Sequence, residues 1–127
     1  MIRKATPCDF VQILALYKAG LDEIGEDWKE SFLVRKIVTS YKLAPSFVLE
    51  IDGKIQGFAG FTIVTASHNG QKVMAEYMFY IRPEFRGDKS LLSLVQAAQD
   101  FAKENDFPLR VEFIINNDEQ LKRRWRS

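Results

Sequence analysis

The segment that most constrains the fold is "VMAEYMFYIRPEFRGDKSLLSLVQAAQDFA", residues 73–102. Its first nine residues are apolar on both faces of an extended chain, as expected of a strand covered by a layer on each side of a sheet. The second part places Leu91, Leu92, Leu94, Val95, Ala98, Phe101 and Ala102 at helical spacing over about Lys89 to Asn105. A doubly covered strand feeding an amphipathic helix calls for a layered α/β domain, with an Arg86-Gly87 turn at the junction.

The flanking segments supply the layers. "IRKA" reads as a short strand. Thr6 as N-cap, Pro7 at the first helical position and Asp9 in the first turn then start a helix at once. Phe10, Ile13, Leu14, Tyr17, Leu21 and Ile24 give that helix one apolar stripe, and a second helix covers Lys29 to Ser40. "SFVLEI" and "KIQGFAGFTIV" flank Asp52-Gly53, a dipeptide favoured in tight hairpins. After the late helix come a strand in "LRVEFII" and a short basic helix in "NNDEQLKRRWRS". The order is β-α-α-β-β-β-α-β-α, an α/β mixed sheet with a central antiparallel meander and one late parallel crossover, right-handed as such units are. The 127 residues suit one domain, 1–127, with a single core.

Composition removes several classes of function. Cys8 is the only cysteine and His68 the only histidine, so neither a cysteine-based nor a His-rich metal site is expected. A formal net charge of +1 gives no general attraction to nucleic acid. No apolar run reaches the roughly 18 residues that span a bilayer, and "MIRKATPCDF" lacks the apolar centre of a secretory signal. A cytoplasmic protein without membrane contact is expected.

A helix that starts directly after a buried strand offers unpaired N–H groups and a partial positive charge, both suited to a phosphate. Arg86 adds a full charge, and Gly87 permits close approach. With "IRKAT", the hairpin around "IDGKIQGFAGF", the lead-in "YIRPEFRG" and the helix "SLVQAAQDFAKEN", nearly the whole chain resembles the GNAT acetyltransferase superfamily. The resemblance implies acetyl-CoA as cofactor. Its pantetheine arm would meet the strand end Phe79, Tyr80 and Ile81, and its pyrophosphate the cradle Arg86, Gly87, Asp88, Lys89, Ser90 and Leu91. Asn117 joins the implied cofactor contacts. The family's two further glycine positions carry Lys89 and Leu91. The cradle acts through main-chain N–H groups, so this change affects close approach more than donor count, and weakened binding is expected. The competing reading keeps the fold without the cofactor.

Direct acetyl transfer to an amine requires a base, because an alkylammonium has a pKa of about 10.4. The resemblance points to a carboxylate on a central strand. Glu76, with Met74, Met78 and Tyr80 on one face by strict alternation, and Glu112 in "RVEFIINN" are the two candidates. Each has a plain structural alternative, an ion pair for Glu76 and a solvated strand end for Glu112. The family's acid tyrosine beyond the last helix has no counterpart after Asn117. Tyr80 is a substitute donor, or simply a wall aromatic.

The acceptor amine is not specified by the sequence, and a small molecule and a protein amine both remain open. Trp28 with Glu23, Glu26 and Asp27 forms an acidic segment suited to a cationic acceptor. His68 falls in a polar turn, and Cys8 in a first helical turn with no evident base. Lys122, Arg123, Arg124 and Arg126 with Trp125 could contact phosphates, or complement the dipole of their own helix. That end also keeps open an inactive module contacting nucleic acid or a protein partner. An exposed sheet edge beside Trp125 would suit a homodimer.

Overall fold

The structure, a computed structural model, describes residues 1–86 and 89–110. Gly87, Asp88, Glu112, Asn117 and the closing basic helix lie outside the described residues. The elements are β1 (Ile2–Lys4), α1 (Phe10–Glu23), α2 (Glu30–Tyr41), β2 (Phe47–Ile51), β3 (Lys54–Thr65), β4 (Lys72–Ile81), α3 (Ser90–Glu104) and β5 (Leu109–Arg110), with 3-10 turns at Pro7–Asp9 and Pro83–Phe85. The strands lie side by side in the order β1-β2-β3-β4-β5. All neighbours are antiparallel except β4 and β5, which are parallel as the late crossover requires.

The first helix does not begin at once. Pro7–Asp9 form a 3-10 turn before α1, and the Thr6 amide donates to Asp9 Oδ2 at 2.8 Å. Asp9 also takes both Arg3 guanidinium nitrogens, Nη1 to Oδ2 at 2.7 Å and Nη2 to Oδ1 at 2.9 Å, while Arg3 Nε donates to Glu50 at 2.7 Å. One arginine thus joins β1, the start of α1 and β2. The hairpin between β2 and β3 turns on Asp52 (φ 52°) and Gly53 (φ 77°), the paired left-handed conformations of a type I′ turn.

The sheet separates two apolar clusters. On one face Leu91, Leu94, Val95, Ala98 and Ala102 of α3 pack on Phe47, Phe61, Met74, Phe79 and Ile81. On the other, Ile13 and Leu16 of α1 and Ile37 of α2 pack on Val48, Phe58, Met78 and Tyr80. Full burial of each leucine, isoleucine, valine, phenylalanine or methionine side chain among these stabilises by about 1.5–3 kcal/mol. Strand β4 contributes to both faces, as apolar residues at both alternating sets of positions require. Among the described residues, no helix is long and apolar enough to cross a membrane.

Candidate functional site

The site is built around the second half of β4. Gly60 of β3 pairs with Met78 and Phe61 with Glu76, so Tyr77 is an extra residue, a β-bulge. The bulge corrects the alternation expected from sequence. Met74 lies in the α3-side cluster, whereas Met78 and Tyr80 lie in the α1-side cluster. Glu76 stands opposite Phe61, an α3-side residue, and so shares that face rather than the face of Met78 and Tyr80. Its Oε1 is buried.

Tyr77 owes its position to Gly60. A Cβ at Gly60 would fall 2.4 Å from Tyr77 Cζ, so only glycine leaves room for the ring. Tyr17 flanks it at 5.8 Å between ring centroids, and Lys36 Nζ lies 5.5 Å from its centroid. The hydroxyl is buried, near Ser46 but outside hydrogen-bonding geometry, and burial pushes the phenol's pKa well above its usual value.

Beyond β4, Arg86 is held on three sides. Its Nε donates to the Ile81 carbonyl at 2.6 Å, its Nη1 and Nη2 donate to Glu23 Oε1 and Oε2 at 2.6 and 2.5 Å, and its guanidinium lies 5.1 Å from the Tyr80 ring centroid. The fork holds the Glu23 carboxyl below its ordinary value. Burial, then the Glu23 charge, raises the Tyr80 phenol. Arg86 therefore braces the end of β4 against the end of α1, with its charge paired to Glu23.

Helix α3 opens differently. Its N-cap, Lys89, is exposed and its side chain makes no cap hydrogen bond, and the first N–H groups of a helix, which have no partner within the helix, suit an anion. Ser90 is its first residue, while Leu91 is buried among the α3-side apolar residues and can offer a ligand only its main chain. A groove of about 530 Å³ lies against this start, lined by Met1, Ile2, Leu49, Lys89, Ser90 and Ser93. Of the strand-end candidates, Phe79 and Ile81 face α3, Tyr80 faces α1, and the Ile81 carbonyl is engaged by Arg86.

The acidic segment after α1 is organised by Trp28, whose indole N–H donates to Asp22 Oδ1 at 2.8 Å and whose ring lies 5.2 Å from Lys18 Nζ. Lys18 also pairs with Glu30. Leu21, Asp27, Trp28, Lys29, Phe32 and Leu33 line an open cavity of about 390 Å³. His68 and Cys8 are both exposed. Sequence reasoning missed Glu23 as the partner of Arg86, since nothing local links positions 63 apart. It also missed the Gly60–Tyr77 contact, for which the glycines of "KIQGFAGF" were the available signal.

Among the described residues, a mixed five-stranded sheet with two helices on one face and one on the other, and Arg86 in the turn between β4 and α3, places the chain in the class of acetyltransferase-like α/β folds. Solved structures show the same fold. An acetyltransferase from Clostridium acetobutylicum, described as predicted and with acetyl-CoA, aligns at TM-score 0.81 and 16% identity over 98% of this chain and 87% of that one. A ribosomal-protein-alanine N-acetyltransferase from Brucella melitensis biovar Abortus aligns at 0.76 and 16% identity, over 98% and 88%. An aminoglycoside 6'-N-acetyltransferase from Acinetobacter haemolyticus aligns at 0.75 and 15% identity, over 99% and 88%. No curated relative matches the chain. The family model described as Acetyltransferase (GNAT) family matches residues 11–123, and the chain belongs to this family.

Proposed function

We propose that the protein transfers the acetyl group of acetyl-CoA directly to an amine. The observation that carries this reading is the start of α3, a 15-residue helix that follows buried β4 and opens on the exposed Lys89, whose side chain makes no cap hydrogen bond. The main-chain N–H groups of that turn and the exposed Lys89 ammonium fit a pyrophosphate, the former as fixed donors and the latter as charge. Gly87, Asp88 and Ser90 complete the proposed cradle, with Phe79, Tyr80, Ile81 and Asn117 toward the rest of the cofactor. Acetyl-CoA would supply an activated thioester.

The chain's own residues supply the remainder. Glu76, with a buried oxygen just before the bulge, is the proposed base for the amine, with Glu112 as the second candidate. The raised Tyr80 phenol keeps its proton through the neutral range and can serve as a donor toward the departing thiolate. The cavity of Trp28, Phe32 and Asp27 suits a cationic acceptor, through an aromatic face and a carboxylate.

The test is a calorimetric titration of the folded chain with acetyl-CoA, repeated with Lys89→Glu at an exposed position. Saturable binding that weakens at least about tenfold in the variant supports the reading, since one reversed charge beside a pyrophosphate is worth a decade or more in Kd. A second reading, a GNAT-fold module without turnover that meets nucleic acid or a protein through "LKRRWRS", draws on one observation: Arg86 is neutralised by Glu23. Absence of acetyl-CoA binding by the folded protein would favour it.

A further inference from the structure

A further pocket lies between α1 and α2 where the two helices meet the ends of β1 and β2. Its cavity, about 250 Å³, is walled by Ala5, Phe10, Ile13, Ile37, Val38 and Tyr41, almost wholly apolar surfaces. It shares no lining residue with the groove at the start of α3 or with the Trp28 cavity. Val38 and Tyr41 are 42% and 45% exposed, so the mouth opens to water at the end of α2. Lys42, exposed beside it, is the sole charged residue on the lining, and among the described residues its ammonium joins no ion pair or hydrogen bond.

We propose that this pocket binds a small amphiphilic monocarboxylate, an aryl or alkyl group with a short acid arm. The size and the charge each limit the ligand. An apolar cavity of about 150 Å³ already takes a benzene ring, so this one holds a ring or chain of roughly six to nine carbons. An apolar lining whose one charge sits on exposed Lys42 orients the ligand with its tail inward and its head toward that lysine. Lys42 then selects an anionic over a neutral or cationic head, while Thr6 and Ser46 add hydroxyls to the same lining. The site is independent of acetyl transfer, because no residue assigned above to the cofactor or acceptor lines it.

The test uses the full chain titrated with 3-phenylpropionate and, separately, with the neutral 3-phenylpropan-1-ol. The acid is expected to bind with a Kd on the order of 0.1–1 mM, the range open to a ligand of this size. The alcohol should bind about threefold more weakly, the worth of one exposed charge pair. Lys42→Gln should erase that preference while leaving the thermal midpoint unchanged. Val38→Trp, which fills the mouth from a half-exposed position, should abolish binding of both. The proposal is overturned by absence of acid binding at about 10 mM, well above the expected Kd, by a preference that survives Lys42→Gln, or by unaltered binding in folded Val38→Trp.

Discussion

Arg86 grips Glu23 with both arms of its guanidinium, at 2.6 and 2.5 Å, and so ties the turn after β4 to the last residue of α1. The same side chain reaches the Ile81 carbonyl and covers Tyr80. A pyrophosphate bound at the start of α3, as proposed, would meet an arginine whose charge is already matched by Glu23. The Glu23 carboxylate, a charge of the same sign as the pyrophosphate, would lie on the α1 side of that arginine.

Glu23→Gln releases the guanidinium and removes that carboxylate. Acetyl-CoA should bind about three- to tenfold more tightly to this variant, consistent with roughly 0.7–1.4 kcal/mol for unmasking one partly exposed charge. Calorimetry on both proteins measures it. Equal affinities would mean that Arg86 serves only as a brace between β4 and α1.

Gly60→Ala tests the bulge. The added methyl would lie 2.4 Å from Tyr77 Cζ, and the ring is confined by Tyr17 and buried at its hydroxyl. A loss of about 1–3 kcal/mol in urea denaturation is expected from such overpacking. In a Tyr77→Ala background the same methyl should cost under about 0.5 kcal/mol, because the two positions are coupled through one contact. An equal cost in both backgrounds would count against the ring as the cause.

These two contacts mark the boundary of what the sequence could reveal. Asp52-Gly53 and the spacing of Leu91, Leu94, Val95 and Ala98 declare a turn and a helix through local chemistry, and both stand where they were expected. The position of α2 differed by one residue at each end, Glu30–Tyr41 against 29–40, because caps and fraying decide such limits. The face of Glu76 was misjudged because alternation assumes a regular strand, and the bulge depends on a glycine across the ladder. Arg86 was visible as a charge beside a helix start. Its engagement was not, because the partner arrives from α1 only once the sheet has assembled.

Glu76→Gln should lower kcat by about 10²–10⁴-fold if the carboxylate is the base, the range usual for loss of a general base. KM for acetyl-CoA should hardly change, since Glu76 is not among the proposed cofactor contacts. The measurement is steady-state acetylation of an accepting amine, with Glu112→Gln in parallel. Full activity in Glu76→Gln together with loss in Glu112→Gln would move the base to Glu112.

Asp9 sets the behaviour in acid. It is 4% exposed, and the Arg3 hydrogen bonds, opposed by burial and aided by the Thr6 amide, lower its carboxyl from 3.8 to about 2. A carboxyl depressed on folding contributes stability that is fully present above its ordinary value and is lost as pH falls through its folded value. The Arg3–Asp9 contribution should therefore be complete above pH about 4 and largely gone by pH about 2. Asp9→Asn should destabilise the protein by about 1–2 kcal/mol at neutral pH, less than full linkage would give because Arg3 is partly open to water. The gap between the two proteins should close across that acid window in chemical denaturation at successive pH values. A gap that stays constant down to pH about 2 would mean that the Asp9 charge is not what Arg3 and the start of α1 depend on.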